Sequence, residues 1–337
     1  MLYLGLDVHS KWSTLVALRR ETGELIERDR VPNEALGETL EALGEPLEGA
    51  METGTQAWVL YRQLRGHFVK LHVVDAAKMW DRRRDHSAKT DRRDALRLAQ
   101  ALAKGELEGE VWIPDERTQE LRVLGRAKVR TSRWVTKLTN ELGSLLRSWG
   151  VPVPQSLLSA RGARLVAEVH LPPQSQRVLT LWRELWERLQ AIEQELMAAV
   201  EAEAKADPVC RQLMTMPQVG ALTALMTRAE IGEIGRFRNP KALVGYIGLA
   251  PQVFQTSETC RYGALPPSGN RWLRYVLVLM ANRLARNGTN TRLHQLYWRT
   301  CLRHDRNSAK IVVARKVAHL LWHLLSRGEE WQEEPVR

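Results

Sequence analysis

The chain has 337 residues and carries 50 Lys and Arg against 39 Asp and Glu, a net charge of +11. That length supports more than one hydrophobic core, and the positive balance points to a polyanionic partner while saying nothing about fold. Cys210, Cys260 and Cys301 are far apart with no C-x-x-C pair, which argues against a disulfide framework or a zinc site and for reduced thiols in a cytoplasmic protein. No apolar run approaches the ~18 residues of a membrane span, and the first residues read as a strand, so no membrane partner is expected.

Residues 1 to 112 alternate strands and helices. Leu2 to Leu6, Ser13 to Leu18 and Leu25 to Val31 predict an antiparallel meander with a turn at Glu21-Thr22-Gly23-Glu24. A helix over 33–43, a strand ending at Glu52, a helix over 56–65 and a strand at Val69 to Val74 follow. That order predicts an α/β layer fold on a mixed sheet. Residues 113–205 are helical. Val135, Leu138, Leu142, Leu145 and Trp149 recur at threes and fours, and Pro152 and Pro154 end the run. A second seam runs from Leu179 through Trp182, Trp186, Leu189, Ile192 and Leu196 to Ala199, slipping phase between Trp186 and Ile192. The pair fits an antiparallel hairpin or a dimerising coiled coil equally well. Residues 206–327 read as compact helices forming a third, mainly α domain, and 328–337 as a polar tail. From Arg261 to Lys316 there are twelve Lys or Arg and a single acid, Asp305.

The chemistry concentrates in four acids. Asp7 follows Leu4-Gly5-Leu6, Glu52 follows Ala50-Met51, and both carboxylates would project from strand ends. Asp91 and Asp94 sit three apart at the start of a helical pattern, on one face. Carboxylate oxygens suit Mg²⁺, and two such ions about 4 Å apart can clamp both oxygens of a phosphodiester displacement. Arg82, Arg83, Arg84, Lys89, Arg92, Arg93 and Arg97 surround the last pair and would keep the acids ionised and attract a phosphate backbone. Singly, an Asp at a strand end is a cap or turn residue; the ordered set is the signal. His9 lies beside Asp7, as a supporting group or as strand-end packing.

Three further segments carry possible chemistry. Met216-Pro217-Gln218-Val219-Gly220 reads as a turn opening a helix, whose free N–H groups, Gly220 among them, could bind phosphate in a helix-hairpin-helix-like manner; an ordinary helix–helix turn fits too. Thr256-Ser257, close to Arg261, could supply a hydroxyl nucleophile whose developing charge the cation stabilises, or be a polar loop. Ser268 to Arg274 places Asn270, Arg271 and Arg274 at the start of a basic helix, either contacting nucleic-acid phosphates or simply solvated. Trp182 and Trp186 lie on the helical seam and read as core.

Together these motifs resemble the DEDD-type transposases of bacterial insertion sequences, the IS-one-ten group. Asp7, Glu52, Asp91 and Asp94 match the family's four acids in order. Met216 to Gly220 corresponds to its I-P-G-I-G turn, Arg236 to Pro251 to its R-F-x-x-x-x-x-L-x-x-Y-x-G-L-x-P stretch, and Gly269 to Arg274 to its G-N-x-x-L-R element. The resemblance implies an RNase H-like (RuvC-like) first domain, a coiled-coil segment serving assembly into dimers or tetramers, and a C-terminal transposase domain with a nucleophilic serine. Aligned without gaps, that serine falls on Thr256; a one-residue shift places it on Ser257, favoured as the less hindered primary hydroxyl.

The resemblance further implies Mg²⁺ as cofactor, donor and target DNA and a bridge RNA as partners, a site composed from both domains, and a nucleoid-associated protein of the bacterial cytoplasm. Two other readings stand beside it. One is a metal-dependent, structure-specific (Holliday-junction-type) nuclease using water; the other is a basic nucleic-acid-binding protein without catalysis.

Overall fold

The computed structural model describes residues 1–75, 90–255, 260–286 and 291–332, with backbone alone for 253–255 and 260–262. The chain separates into two compact units, Met1–Ile113 and Pro114–Arg337.

In the first unit, β1 (Leu2–Val8), β2 (Trp12–Arg19) and β3 (Leu25–Pro32) form the expected antiparallel meander, and β4 (Leu47–Glu52) and β5 (Lys70–Val74) add in parallel, giving the order β3-β2-β1-β4-β5. The helix expected over 33–43 is a 3₁₀ turn, Asn33–Ala35, followed by α1 (Leu36–Glu41). Helix α2 (Ala57–Leu64) precedes β5, and α3 (Asp91–Lys104) follows it.

Strand periodicity sorts the side chains into two layers. Leu2, Leu4 and Leu6 of β1 and Leu47 and Met51 of β4 face one core with Leu36, Leu40, Leu60 and Leu64 of α1 and α2. The alternate residues, Tyr3 of β1, Ala50 of β4 and Val74 of β5, face a second core with Leu98 and Leu102 of α3. By the same parity Gly5, Asp7 and Glu52 fall on the α3 side. Gly5 has a steric duty there. A Cβ on it would overlap the Ala95 carbonyl oxygen and lie 2.8 Å from the Ala99 nitrogen. The missing side chain lets α3 rest directly on β1.

The second unit is helical apart from the two-stranded ribbon β6 (Val253–Gln255) and β7 (Cys260–Tyr262). Helix α4 (Glu116–Ser148) is capped by Asp115, whose carboxylate accepts from the Thr118 N–H. Helix α6 (Pro173–Ala206) returns antiparallel to it. The pairs Arg117–Glu203, Lys128–Glu193, Trp186–Thr139 and Trp149–Ser175 run in opposite senses along the two helices. The hairpin form is therefore the one adopted within the chain, with α5 (Ala160–Glu168) in its connector.

The phase slip has a physical cause. At that level the interface is polar: Glu193 accepts from Lys128 Nζ at 2.9 Å and Ser132 Oγ at 2.6 Å, so an acid stands where an apolar seam residue would otherwise be. Helices α7 (Pro208–Met214), α8 (Ala221–Ile231), α9 (Pro240–Ile247), α10 (Arg271–Arg286), α11 (Arg292–Cys301) and α12 (Arg306–Arg327) enclose one continuous apolar core that also takes in Leu121 and Val129 of α4 and Val200 and Ala204 of α6. No helix among the described residues is long and apolar enough to cross a membrane.

Two outcomes follow from the backbone. Gly5→Ala should cost about 3 kcal/mol or more, because the obstacle is main chain and cannot rotate aside; urea unfolding would show the loss. In the turn between α7 and α8, Gln218 holds φ +65°, a left-handed conformation that costs an L-residue about 1 kcal/mol. Thermal midpoints at this position should rank Gly at or above Gln, and Gln above the β-branched Val.

Candidate metal centre and basic surfaces

Asp7 is the penultimate residue of β1, paired with Thr14 across the sheet. Glu52 is the last residue of β4, beside Val74. Asp91 and Asp94 both lie in the first turn of α3, where the helix dipole favours carboxylates and the Thr90 hydroxyl accepts from the Arg93 N–H. Gly5 holds that helix on β1, so its acidic first turn comes down beside Asp7. Asp94 is only 5% exposed, with Arg97 Nη1 3.7 Å away. Asp91 is more open.

The electrostatics of Asp7 report the gathering. Burial pushes its carboxyl above the ordinary carboxylate value; nearby His9 pulls it back; Asp91, Asp94 and Glu52 each push it up again by repulsion. His9 is the participant that the sequence left open. Its ring stacks on Trp12 at 4.0 Å between centroids, and its Nε2 lies 3.5 Å from Asp7 Oδ2 and 3.2 Å from Asp91 Oδ2. That buried nitrogen has no hydrogen bond of good geometry. Asp7, His9 and Asp91 thus offer three ligand atoms within 4.8 Å of one another.

Repelling carboxylates at Asp7 and Asp91 and an imidazole nitrogen without a hydrogen bond, gathered within 4.8 Å, fit a divalent cation, which would relieve both defects together. Signals for His9 were its place two residues after Asp7 and three before Trp12.

The other expected site residues have varied settings. Arg92 pairs with Glu27 at 2.7 Å, and Arg93 is exposed on α3. Gly220 opens α8, with Arg283 Nη1 3.6 Å from where its Cβ would stand. Asn270 caps α10: its side-chain oxygen accepts from the Trp272 and Leu273 N–H groups, while its nitrogen donates to Glu230 Oε2 at 2.8 Å and to the Tyr246 hydroxyl at 2.9 Å. Arg274 donates to the carbonyls of Ile247 and Pro266 at 3.1 Å and of Ser268 at 2.5 Å, fastening the loop before its own helix. Arg271 stands over the Trp272 ring. Thr256, Ser257, the basic segment Arg82 to Lys89, residues 333–337 of the polar tail and the Arg261 side chain lie outside the described residues.

Glu230 was not foreseen. It is wholly buried and held by Arg126 Nε and Nη2 at 2.7 and 2.8 Å. Its only trace in the sequence is that it is the one acid of α8.

Asp7 sets a pH dependence. Because its folded-state carboxyl holds a proton more tightly than the unfolded chain does, the native state binds more protons between the ordinary carboxylate value and the raised one. Stability should fall as pH rises through that window and stay level above it. Asp7→Asn should flatten this segment, raise the metal-free thermal midpoint at pH 7 and abolish any rise on adding a divalent cation. Melts from pH 3 to 8, with and without cation, provide the measurement.

Comparison with known proteins fits this geometry. Residues 4–150 match the DEDD-type IS110 transposase family model, and residues 210–298 match that of the "Transposase IS116/IS110/IS902 family". The chain is 32% identical over 262 residues to the transposase for insertion sequence element IS1111A of Coxiella burnetii, covering 73% of this chain and 69% of that protein. It is 25% identical over 334 residues to the transposase for insertion sequence element IS1328 of Yersinia enterocolitica, covering 96% and 97%. The chain therefore belongs to the IS116/IS110/IS902 family of insertion-sequence transposases.

Proposed function

We propose that this transposase cuts and rejoins DNA through a Mg²⁺-binding acidic tetrad and a serine nucleophile, guided by a bridge RNA. The observation that carries the metal half is the convergence of Asp7, His9 and Asp91, with Asp94 and Glu52 close enough to act on Asp7. In this reading the five-stranded mixed sheet is an RNase H-like (RuvC-like) domain, residues 1–112, and Asp7, Glu52, Asp91 and Asp94 hold Mg²⁺. The ion supplies charge neutralisation at the scissile phosphate. His9 offers its Nε2 to the same ion.

Ser257, rather than its neighbour Thr256, supplies the attacking oxygen. Its Oγ–P bond forms as one P–O bond to a deoxyribose breaks, the serine proton is lost and the leaving sugar oxygen gains one. Attack by another strand's hydroxyl reverses the exchange and reseals the backbone. Residues 206–327 form the transposase domain, with the Met216 to Gly220 turn acting in the manner of a helix-hairpin-helix. Donor DNA, target DNA and RNA bind through Arg92, Arg93, Gly220, Arg261, Asn270, Arg271 and Arg274, of which Asn270 and Arg274 act by holding α10 and its loop in place. The hairpin, residues 113–205, assembles the protein as a dimer or tetramer; Trp134, Leu181 and Leu185 on it are exposed.

The test is a denaturing gel after incubation with Mg²⁺, RNA transcribed from the element's flanks and matching DNA. A protein-linked strand is expected, lost in both Ser257→Ala and Asp91→Ala. An adduct that survives Ser257→Ala but not Thr256→Ala would move the nucleophile by one residue. Cleavage to free 5′-phosphate ends with no adduct would instead make the protein a nuclease using water.

A further inference from the structure

Arg122, Arg126, Arg130 and Arg133 recur along α4 at spacings of four, four and three, which lines them along one helix face. The first two are used internally: Arg122 donates to the Ala229 carbonyl at 2.9 Å, and Arg126 clamps Glu230. Arg126 and the two that follow it also share a second neighbour. Arg126, Arg130 and Arg133 of α4 and Arg271 of α10 stand 5.6, 5.2, 5.5 and 5.4 Å from the centre of the Trp272 ring, and Arg133 also lies 4.6 Å from that of Tyr275.

Four guanidinium groups round one indole exceed what its two faces can hold, and only Arg126 has an acid to neutralise it. Among the described residues no carboxylate pairs with Arg130, Arg133 or Arg271, and all three are exposed. Their mutual repulsion is unrelieved in the free protein. Trp272 itself is only 7% exposed, so it is no platform for stacking a base; it gathers the guanidinium groups, whose N–H donors suit phosphate oxygens.

We propose that Arg130, Arg133 and Arg271, seated round Trp272, bind the phosphodiester backbone of a nucleic acid without reading its bases. The inference rests on the reading that this chain acts on nucleic acids, and it extends that surface from α10 onto the hairpin helix α4. The contacts are of the positioning kind, strong in low salt and blind to sequence.

The test compares the full-length protein with the triple variant Arg130→Gln, Arg133→Gln, Arg271→Gln. Affinity for a 30-base-pair DNA duplex and for an RNA hairpin of similar length is measured over a range of salt concentrations. Each lost phosphate contact on duplex DNA removes about 0.9 from the slope of log affinity against log salt, so the variant's slope should be shallower by about 2 to 3. The polymer whose slope changes is the one that uses the site.

With repulsion removed, the variant's thermal midpoint without nucleic acid should be unchanged or higher. A lower midpoint with both slopes unchanged would show that the arginines merely pack Trp272, and would overturn the proposal. An equal loss of slope in the control Arg161→Gln, Arg164→Gln, Arg188→Gln would reduce the effect to net charge and overturn it too. If the parent binds neither polymer, the nucleic-acid reading itself falls. With every slope measured without divalent cation, Asp91→Ala, which removes cleavage under that reading, should leave the contribution of Arg130, Arg133 and Arg271 to the slope intact, so failure of the metal chemistry and failure of this surface are distinguishable.

Discussion

The acidic centre depends on how closely one helix can approach one strand. With hydrogen in place of a side chain at Gly5, the α3 backbone at Ala95 and Ala99 sits against β1, and two residues further along the strand stands Asp7. Any larger residue would lift the helix and carry Asp91 and Asp94 away with it. Burial of Leu98 and Leu102 against Ala50 and Val74 secures the same contact from farther along the helix. Apolar packing thus holds together carboxylates that repel one another at Asp7.

The second unit treats a buried acid in the opposite way. Glu230 is fully enclosed but fully answered: two nitrogens of Arg126 and the amide of Asn270 donate to its carboxylate, and Tyr246 donates to its backbone carbonyl. A satisfied buried pair of this kind ties parts of the chain together at little net gain. The contrast is one of compensation. Glu230 is compensated, whereas the carboxyl of Asp7 and the three exposed guanidiniums round Trp272 are not.

Much of this was legible in the chain. Short apolar runs bounded by turn residues marked the strands of the first unit, and the acids were visible because each ends an apolar strand or opens a helix. Pattern could not decide whether the long helices pair within one chain, since a heptad seam is the same for either partner. It broke at Glu193 because a polar contact occupies the interface there. Charge alone could not tell where a guanidinium ends. Arg274 and Arg271 look alike in sequence, yet one is spent on three backbone carbonyls and the other faces solvent. The left-handed turn was hidden for a related reason: Gln218 carries no sign of the conformation that a glycine would have announced. Glu230 is not marked in the sequence because the single acid of α8, two residues after Arg228, reads as a surface residue until the partners on α4 are seen.

Helix α4 has 33 residues, about 50 Å at 1.5 Å per residue. Near its start the ionic clamp at Glu230 and the apolar contacts of Leu121 and Val129 fix it to the helical core, while the apolar residues of its far half, Val135, Leu142 and Leu146, pack within the hairpin against Leu179 and Trp186. An arm fixed at one end and stiffened along its length is a lever. Tilting its tip by a few ångströms would be felt at the fulcrum as torque on α8 and on the cap of α10, the helix that carries Arg271. A flexible tether of the same length would dissipate that displacement; this arm delivers it to the part of the molecule where the arginines meet.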